Sequence, residues 1–171
     1  MLRSLEQERA RYAWNCINLM KSKNRRSEDE KSGLFEKIVE EMKKRRNREI
    51  SEEEIRKYYE TLEERYSSYI KKMPTLIQNN GLGNTLAFYR SKFGSEEEEK
   101  LSPDKRAYKL IYVHLNEWVN RRFKYNEDIL RWIISKKTSP IDVFKVTKET
   151  IALLNWMKRF TEAELKGEEH E

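Results

Sequence analysis

Histidine and cysteine, the side chains that most often act as bases, nucleophiles or zinc ligands, are scarce in this chain. His114 lies within a helical pattern, His170 lies in the acidic C-terminal tail, and Cys16 lies among apolar residues. A zinc site needs several such groups to converge, and a nucleophilic cysteine needs a base beside it. This spacing supplies neither, so we expect a buried core thiol, a core or rim histidine and no disulfide within the chain.

Two other short patterns contain the residue types of phosphate or magnesium sites. Gly81-Leu82-Gly83 lacks the preceding strand and the following Lys-Ser/Thr that a phosphate loop requires. Glu96–Glu99 is a run of carboxylates, but such runs are normally solvated linkers that do not fix an octahedral magnesium site. The residues therefore predict no active site, no metal and no cofactor.

Positive charge is the remaining chemical signal. The net charge is +6 and the pI is about 9.2, which favours an anionic partner such as nucleic acid. If the fold gathers the basic residues on one face, they form a strip that reads phosphate positions and shape. Scattered basic pairs on helices are also ordinary solvated faces, and this alternative stays open. The basic residues in question are Lys71, Lys72, Arg90 and Lys92 around one corner, and Arg121, Arg122 and Lys124 at the end of another helix.

Hydrophobic spacing predicts an all-α fold. With 171 residues the chain fits one domain, 1–171, and its apolar residues recur at helical rather than strand spacing. We expect a bundle of about six or seven helices, with residues 167–171 as a frayed tail. No apolar run is long enough to cross a membrane and the N-terminus has no signal-peptide pattern, so we expect a cytoplasmic protein.

Helix starts can be predicted from capping residues. The first helix is expected over about residues 2–22, Ser51 and Glu54 form a capping box, and the stretch Asn126-Glu127-Asp128 caps a short helix. Ser102-Pro103 and Ser139-Pro140 each combine an N-cap with proline at the first helical position. These signals divide the chain into helices but do not show which helices pack against one another.

Two helical faces follow from the apolar spacing. The helix after Ser51 has a seam that alternates by four and three, which fits either an internal bundle contact or a partner helix. The last helix is expected to pack through apolar residues along its whole length. The seam is Ile55, Tyr59, Leu62, Tyr66, Tyr69 and Met73, and the last helix's face is Ile141, Phe144, Ile151, Leu154, Met157 and Phe160.

The helix breakers concentrate at one corner of the chain. Pro74 is expected to kink the helix or restart it, and Gly81 is expected to close it in the left-handed conformation. Gly83 follows in the turn, and Asn84 is expected to N-cap the next helix. This arrangement is an ordinary tight helix–helix corner.

The same corner carries a family resemblance. A basic pair is followed by Met73-Pro74, Leu76-Ile77, Asn80–Gly83 and Thr85–Phe88. The stretch Ala152–Phe160, ALLNWMKRF, is a second similarity, and Arg9–Ala13 is a weaker third. Together they resemble the small α-helical subunit, subunit five, of the Cmr complex, the type III-B CRISPR RNA-silencing effector.

The resemblance implies a noncatalytic structural subunit in antiviral defence. Its implied partners are the backbone and large subunits of the complex, copies of itself, guide RNA and target RNA. It would touch RNA backbone while base pairing supplies specificity. Residues 23–50 are implied to be an insertion relative to shorter relatives. The residues implied to face the guide–target groove are Lys71, Lys72, Arg90, Lys92, Lys158 and Arg159.

Two other functions remain open from the sequence. The chain could be a protein–protein adaptor, with the tyrosine-rich seam as its interface and its positive charge merely a solvated surface. A metal-dependent nuclease is disfavoured because suitable ligands are missing.

Overall fold

The structure is a computed structural model that describes residues 4–21, 38–40, 42–44, 50–95 and 101–165. The predicted Glu96–Glu99 linker and frayed tail lie outside these residues. The described part contains helices and no strand, which confirms the all-α prediction. Residues 38–40 and 42–44 are helical as well. The six helices with known bounds are α1 (Leu5–Met20), α2 (Glu52–Asn80), α3 (Leu82–Phe93), α4 (Pro103–Phe123), α5 (Ile129–Ile134) and α6 (Pro140–Glu164).

Side-chain caps start most of these helices where they were predicted. Ser51 Oγ accepts from Glu54 N at 3.2 Å, and the Glu54 carboxylate accepts from Ser51 N at 3.3 Å. Asp128 caps α5, and Ser102 and Ser139 cap α4 and α6 ahead of their prolines. The first helix is shorter than predicted because a capping box at Ser4 begins α1 at Leu5.

Helix α2 does not restart at Pro74, so the restart that was one of the two predicted outcomes was wrong. The helix continues through the proline to Asn80. Proline has no N–H to donate to the carbonyl of Ile70, which costs a helix hydrogen bond. The side chains of Met73 and Ile77, on either side of the proline, are both buried, and their packing keeps the two halves in one helix.

Gly81 forms the junction between α2 and α3. It has φ +79° and ψ 160°, so φ is positive as predicted, but the left-handed prediction was wrong because ψ places Gly81 in an extended region essentially restricted to glycine. Gly81 N donates to Ile77 O at 2.8 Å, and Gly81 O accepts from Thr85 N at 3.2 Å. Because Gly81 itself occupies the N-cap position of α3, the prediction that Asn84 caps this helix was wrong; Asn84 is exposed in the first turn.

Gly83 lies inside α3, at its approach to α5. A Cβ at Gly83 would lie 3.2 Å from Ile133 Cγ2, which is tighter than ordinary contact. The two glycines therefore have different roles: Gly81 permits the turn, and Gly83 permits close packing.

The seam of α2 is an internal contact. Tyr59, Leu62, Tyr66 and Met73 are all buried, and their helix packs on α3, α4 and α6. The hydroxyl of Tyr66 reaches a polar partner inside the bundle, since its Oη lies 2.8 Å from His114 Nδ1. Of the two interpretations of the seam, the internal bundle contact is therefore correct, and the seam is not a surface for a partner helix.

The first part of α6 packs differently from the prediction. Ile141 and Phe144 are 66% and 61% exposed, so they are not core residues. The buried face includes three polar residues, Glu149, Thr150 and Thr161, which apolar spacing does not detect. Leu154 and Met157 are buried as predicted, while Ile151 and Phe160 are partly buried against the core.

A buried ion pair joins α1, α4 and α6. Arg9 donates to both carboxylate oxygens of Glu149, at 2.8 and 2.7 Å, and Trp118 Nε1 donates to Glu149 Oε1 at 3.0 Å. Burial alone would raise the pKa of Glu149, but these hydrogen bonds outweigh it and lower that pKa. Glu149 therefore remains ionised within the bundle.

We expect Gly81→Val to lower the free energy of unfolding by about 1–3 kcal/mol. No atom lies within 4 Å of a Cβ built at this position, so the cost comes from the backbone conformation rather than from a clash. Asn84→Val is the matched control, since it adds the same side chain at an exposed helical position in the same corner. Urea unfolding of both variants and the parent measures the change in the free energy of unfolding. Equal stability of Gly81→Val and the parent would show that this position does not require the backbone conformation of glycine.

Acid should destabilise the protein through His114. Burial lowers the pKa of His114 to about 4, below its ordinary value of 6.5. As pH falls, His114 therefore takes up a proton at a higher pH in the unfolded chain than in the folded protein. The stability contributed by the neutral ring is lost as pH falls from 6.5 toward 4. From pH 7 to pH 5 we expect a loss of about 2 kcal/mol from this residue.

Urea unfolding at both pH values, in the parent and in His114→Gln, measures this contribution. Glutamine does not titrate and can still accept a hydrogen bond from Tyr66. The variant should therefore show a smaller loss on acidification than the parent, and an identical loss in both proteins would contradict the role of His114.

Candidate nucleic-acid interface

The corner formed by α2, Gly81 and α3 places four of the predicted basic residues on two adjacent helices. Tyr89 Oη donates to Tyr69 O at 3.0 Å, so the two helices lie side by side just before these residues. Lys72 is exposed and Lys71 is half-buried. Neither lysine has an ion-pair partner in the described part of the chain. Lys71 and Lys72 are therefore available to an anion.

Arg90 is engaged within the protein. Its Nη1 lies 3.1 Å from Asp128 Oδ1 and donates to Tyr112 Oη at 3.3 Å, and Tyr112 Oη in turn donates to Asp128. The hydrogen bond to Tyr112 is the main cause that raises the pKa of Arg90. Because Asp128 also caps α5, Arg90 links α3 to α4 and to the start of α5. Its contact with RNA remains a prediction, but its structural role is evident.

Lys92 lies beside an exposed aromatic ring. Its Nζ is 4.7 Å from the centroid of Phe88, and Phe88 is 43% exposed. The ring is held from behind by edge contacts with Tyr89 and Tyr108. A cation next to a fixed aromatic face can contact both phosphate and base.

The last two predicted residues belong to a different neighbourhood. Arg159 lies over the ring of Trp156, 5.9 Å from its centroid, and Trp156 Nε1 donates to Glu6 Oε1 at 2.7 Å. Lys158 is half-buried on the same helix. Arg159 and Lys158 therefore lie on the part of α6 that meets α1, and their place beside the corner in one RNA-binding face stays a prediction.

A concave basic site was missed by the sequence analysis. It is a pocket of about 320 Å³, which we call the α4–α6 pocket. The sequence analysis places Arg122 in a second basic group and Phe144 in the core, and it does not single out Lys145 or Lys148. Phe144 and Lys148 are four residues apart on a helix, and this spacing is the signal that could have paired them. The pocket is lined by Arg9, Arg122, Phe123, Phe144, Lys145, Lys148 and Glu149.

Cys16 and His114, the cysteine and histidine within the described ranges, are both buried. Burial raises the pKa of Cys16 to about 12, so its thiolate is not formed at neutral pH. His114 is enclosed against Tyr66, as expected of a core histidine. Within the described ranges there is no group of three or more histidine, cysteine or acidic side chains that could hold a metal ion. None of the helices described is both long and apolar enough to cross a membrane.

Comparison with known families identifies the chain's relatives. Residues 39–164, about three-quarters of the sequence, match the family described as CRISPR-associated protein (Cas_Cmr5). The match includes the corner, the α4–α6 pocket except Arg9, and the ALLNWMKRF stretch, while α1 lies outside it. The chain therefore belongs to the Cas_Cmr5 family, the small subunit of type III-B CRISPR complexes.

Proposed function

We propose that this chain is a noncatalytic structural subunit of its Cmr complex that stacks along the complex and binds the backbone of guide and target RNA. The family match is the observation that carries this proposal. The exposed lysines of the corner support the RNA contact, since Lys72 and Lys92 project from neighbouring helices without carboxylate partners in the described residues. Contacts of this type bind phosphates uniformly and leave sequence recognition to base pairing.

A second candidate function is an adaptor that contacts other subunits without touching RNA. The exposed apolar side chains Ile134 and Ile141 favour it, because they are 72% and 66% exposed near the junction of α5 and α6. The buried tyrosine seam no longer supports this function. Surface apolar residues at this junction could contact a backbone subunit or another copy of the chain.

Neutralising the corner should weaken RNA binding by the assembled complex. The corner variant Lys71→Gln/Lys72→Gln/Lys92→Gln removes three cations and spares Arg90, whose removal would also disturb packing. For each phosphate that is no longer bound, the log–log slope of RNA affinity against salt should fall by about 0.7–0.9, without a change in sequence preference. The measurement is RNA affinity of the reconstituted complex over a range of salt concentrations.

The matched control is Lys57→Gln/Lys136→Gln/Lys137→Gln, three exposed lysines that do not belong to the corner. Lys158→Gln/Arg159→Gln tests the α6 pair separately. Replacing the basic residues of the run Lys43–Arg46, which the structure describes only in part, by glutamine gives a further control for RNA affinity. If the control variant costs more affinity than the corner variant, the RNA lies on another face. If no basic variant matters but Ile134→Ala/Ile141→Ala prevents incorporation, the adaptor function is correct.

The isolated protein should leave RNA intact in the presence of magnesium or manganese. Its titratable core groups are buried, and the described residues offer no metal-binding cluster. Incubation with end-labelled RNA and gel analysis tests this. Cleavage that follows the protein through purification and disappears on replacing a carboxylate would show a nuclease instead.

A further inference from the structure

The α4–α6 pocket combines cations and an aromatic ring in one concave site. Its wall is contributed by α1, the end of α4 and the first half of α6. Four of its lining residues are cationic and one is a carboxylate. Both oxygens of that carboxylate, Glu149, already accept hydrogen bonds from Arg9. The pocket therefore presents a surplus of positive charge to solvent.

Two of these cations are available to a ligand. Arg122 and Lys148 are exposed, and neither forms an ion pair with any residue that the structure describes. Lys145 lies 3.8 Å from Asp142 one turn earlier, so it is partly neutralised. Arg122 and Lys148 are thus the pair positioned to hold a phosphate, with the planar guanidinium favouring two hydrogen bonds to its oxygens.

Phe144 supplies an aromatic surface beside these cations. It is 61% exposed, although its position on α6 and its size would normally bury it. Lys148 Nζ lies 5.3 Å from the centre of its ring. Phe123 lines the same pocket and stacks on Tyr125, with centroids 5.6 Å apart and planes 3° from parallel. An exposed ring with a cation over it is the arrangement on which unpaired bases stack in proteins that bind single strands.

We propose that the α4–α6 pocket binds one unpaired nucleotide of single-stranded RNA. The phosphate lies between Arg122 and Lys148, and the base stacks on Phe144. A volume of about 320 Å³ is at the lower end of the range for small-ligand clefts, which suits one nucleotide better than a helix or strand of a protein partner. The choice of RNA as the nucleic acid rests on the proposed function, whereas the site itself is separate from the corner.

The test compares a short fluorescein-labelled oligouridine with a blunt RNA duplex of equal length, both titrated with the isolated chain in fluorescence anisotropy. Phe144→Leu keeps an apolar side chain but removes the aromatic face. It should weaken single-strand binding about 5-fold or more and leave duplex binding unchanged, because paired bases cannot stack on it. Lys148→Gln and Arg122→Gln should weaken the binding of both RNAs and reduce the salt slope.

Matched controls separate this pocket from general surface effects and from the corner. Leu19→Ala changes an exposed apolar residue on α1 outside the pocket, and Lys137→Gln changes an exposed lysine outside the pocket. Neither should alter single-strand affinity. The corner variant should retain most single-strand binding while it weakens RNA affinity of the assembled complex.

Three results would overturn the pocket proposal. The first is no measurable single-strand binding by the parent chain. The second is equal binding by Phe144→Leu and the parent, with loss of subunit incorporation instead, which would make Phe144 part of a protein interface. The third is loss of single-strand binding only in the corner variant, which would support the proposed function and exclude the pocket.

Discussion

The buried pair formed by Arg9 and Glu149 is the constraint around which the helices are arranged. An ionised carboxylate inside a bundle must be paired, and removing one partner of such a pair typically costs about 3–5 kcal/mol. Glu149 satisfies this requirement with Arg9 from α1 and Trp118 from α4, so three helices that are distant in sequence meet at one carboxylate. Helix α1 lies outside the family match, yet it supplies half of this pair and is therefore integral to the fold.

Tyrosine explains how a chain with only 37% hydrophobic residues builds a core. Each buried tyrosine contributes a large apolar ring and needs one polar partner for its hydroxyl. Tyr66 reaches His114, Tyr69 reaches Asp104, and Tyr112 reaches Asp128. These contacts connect α2 with α4, and α4 with the start of α5, by hydrogen bonds as well as by packing. The polar contacts make the orientation of each helix more specific than apolar packing alone would.

The surface repeats one chemical arrangement in two places. At the corner Lys92 lies over Phe88, and at the α4–α6 pocket Lys148 lies over Phe144, each pair being four residues apart on a helix. Both rings are exposed although phenylalanine is usually buried. A subunit that follows an RNA backbone would use cations for the phosphates and such rings for exposed bases, so the two sites serve related chemistry at different positions.

Local sequence determined the features that depend on neighbouring residues along the chain. The capping residues Ser51 and Ser139, the positive φ of Gly81 and the spacing of the α2 seam follow from short-range geometry and were predictable. That the seam packs inside the bundle was decided by the tertiary structure. Tertiary structure decided the rest. Helix α2 continues through Pro74 because buried residues on both sides hold it together, and Phe144 is exposed because α6 packs through Glu149 instead. The partners of a charged side chain, and the face a helix buries, depend on elements far away in sequence, so spacing along one helix cannot reveal them.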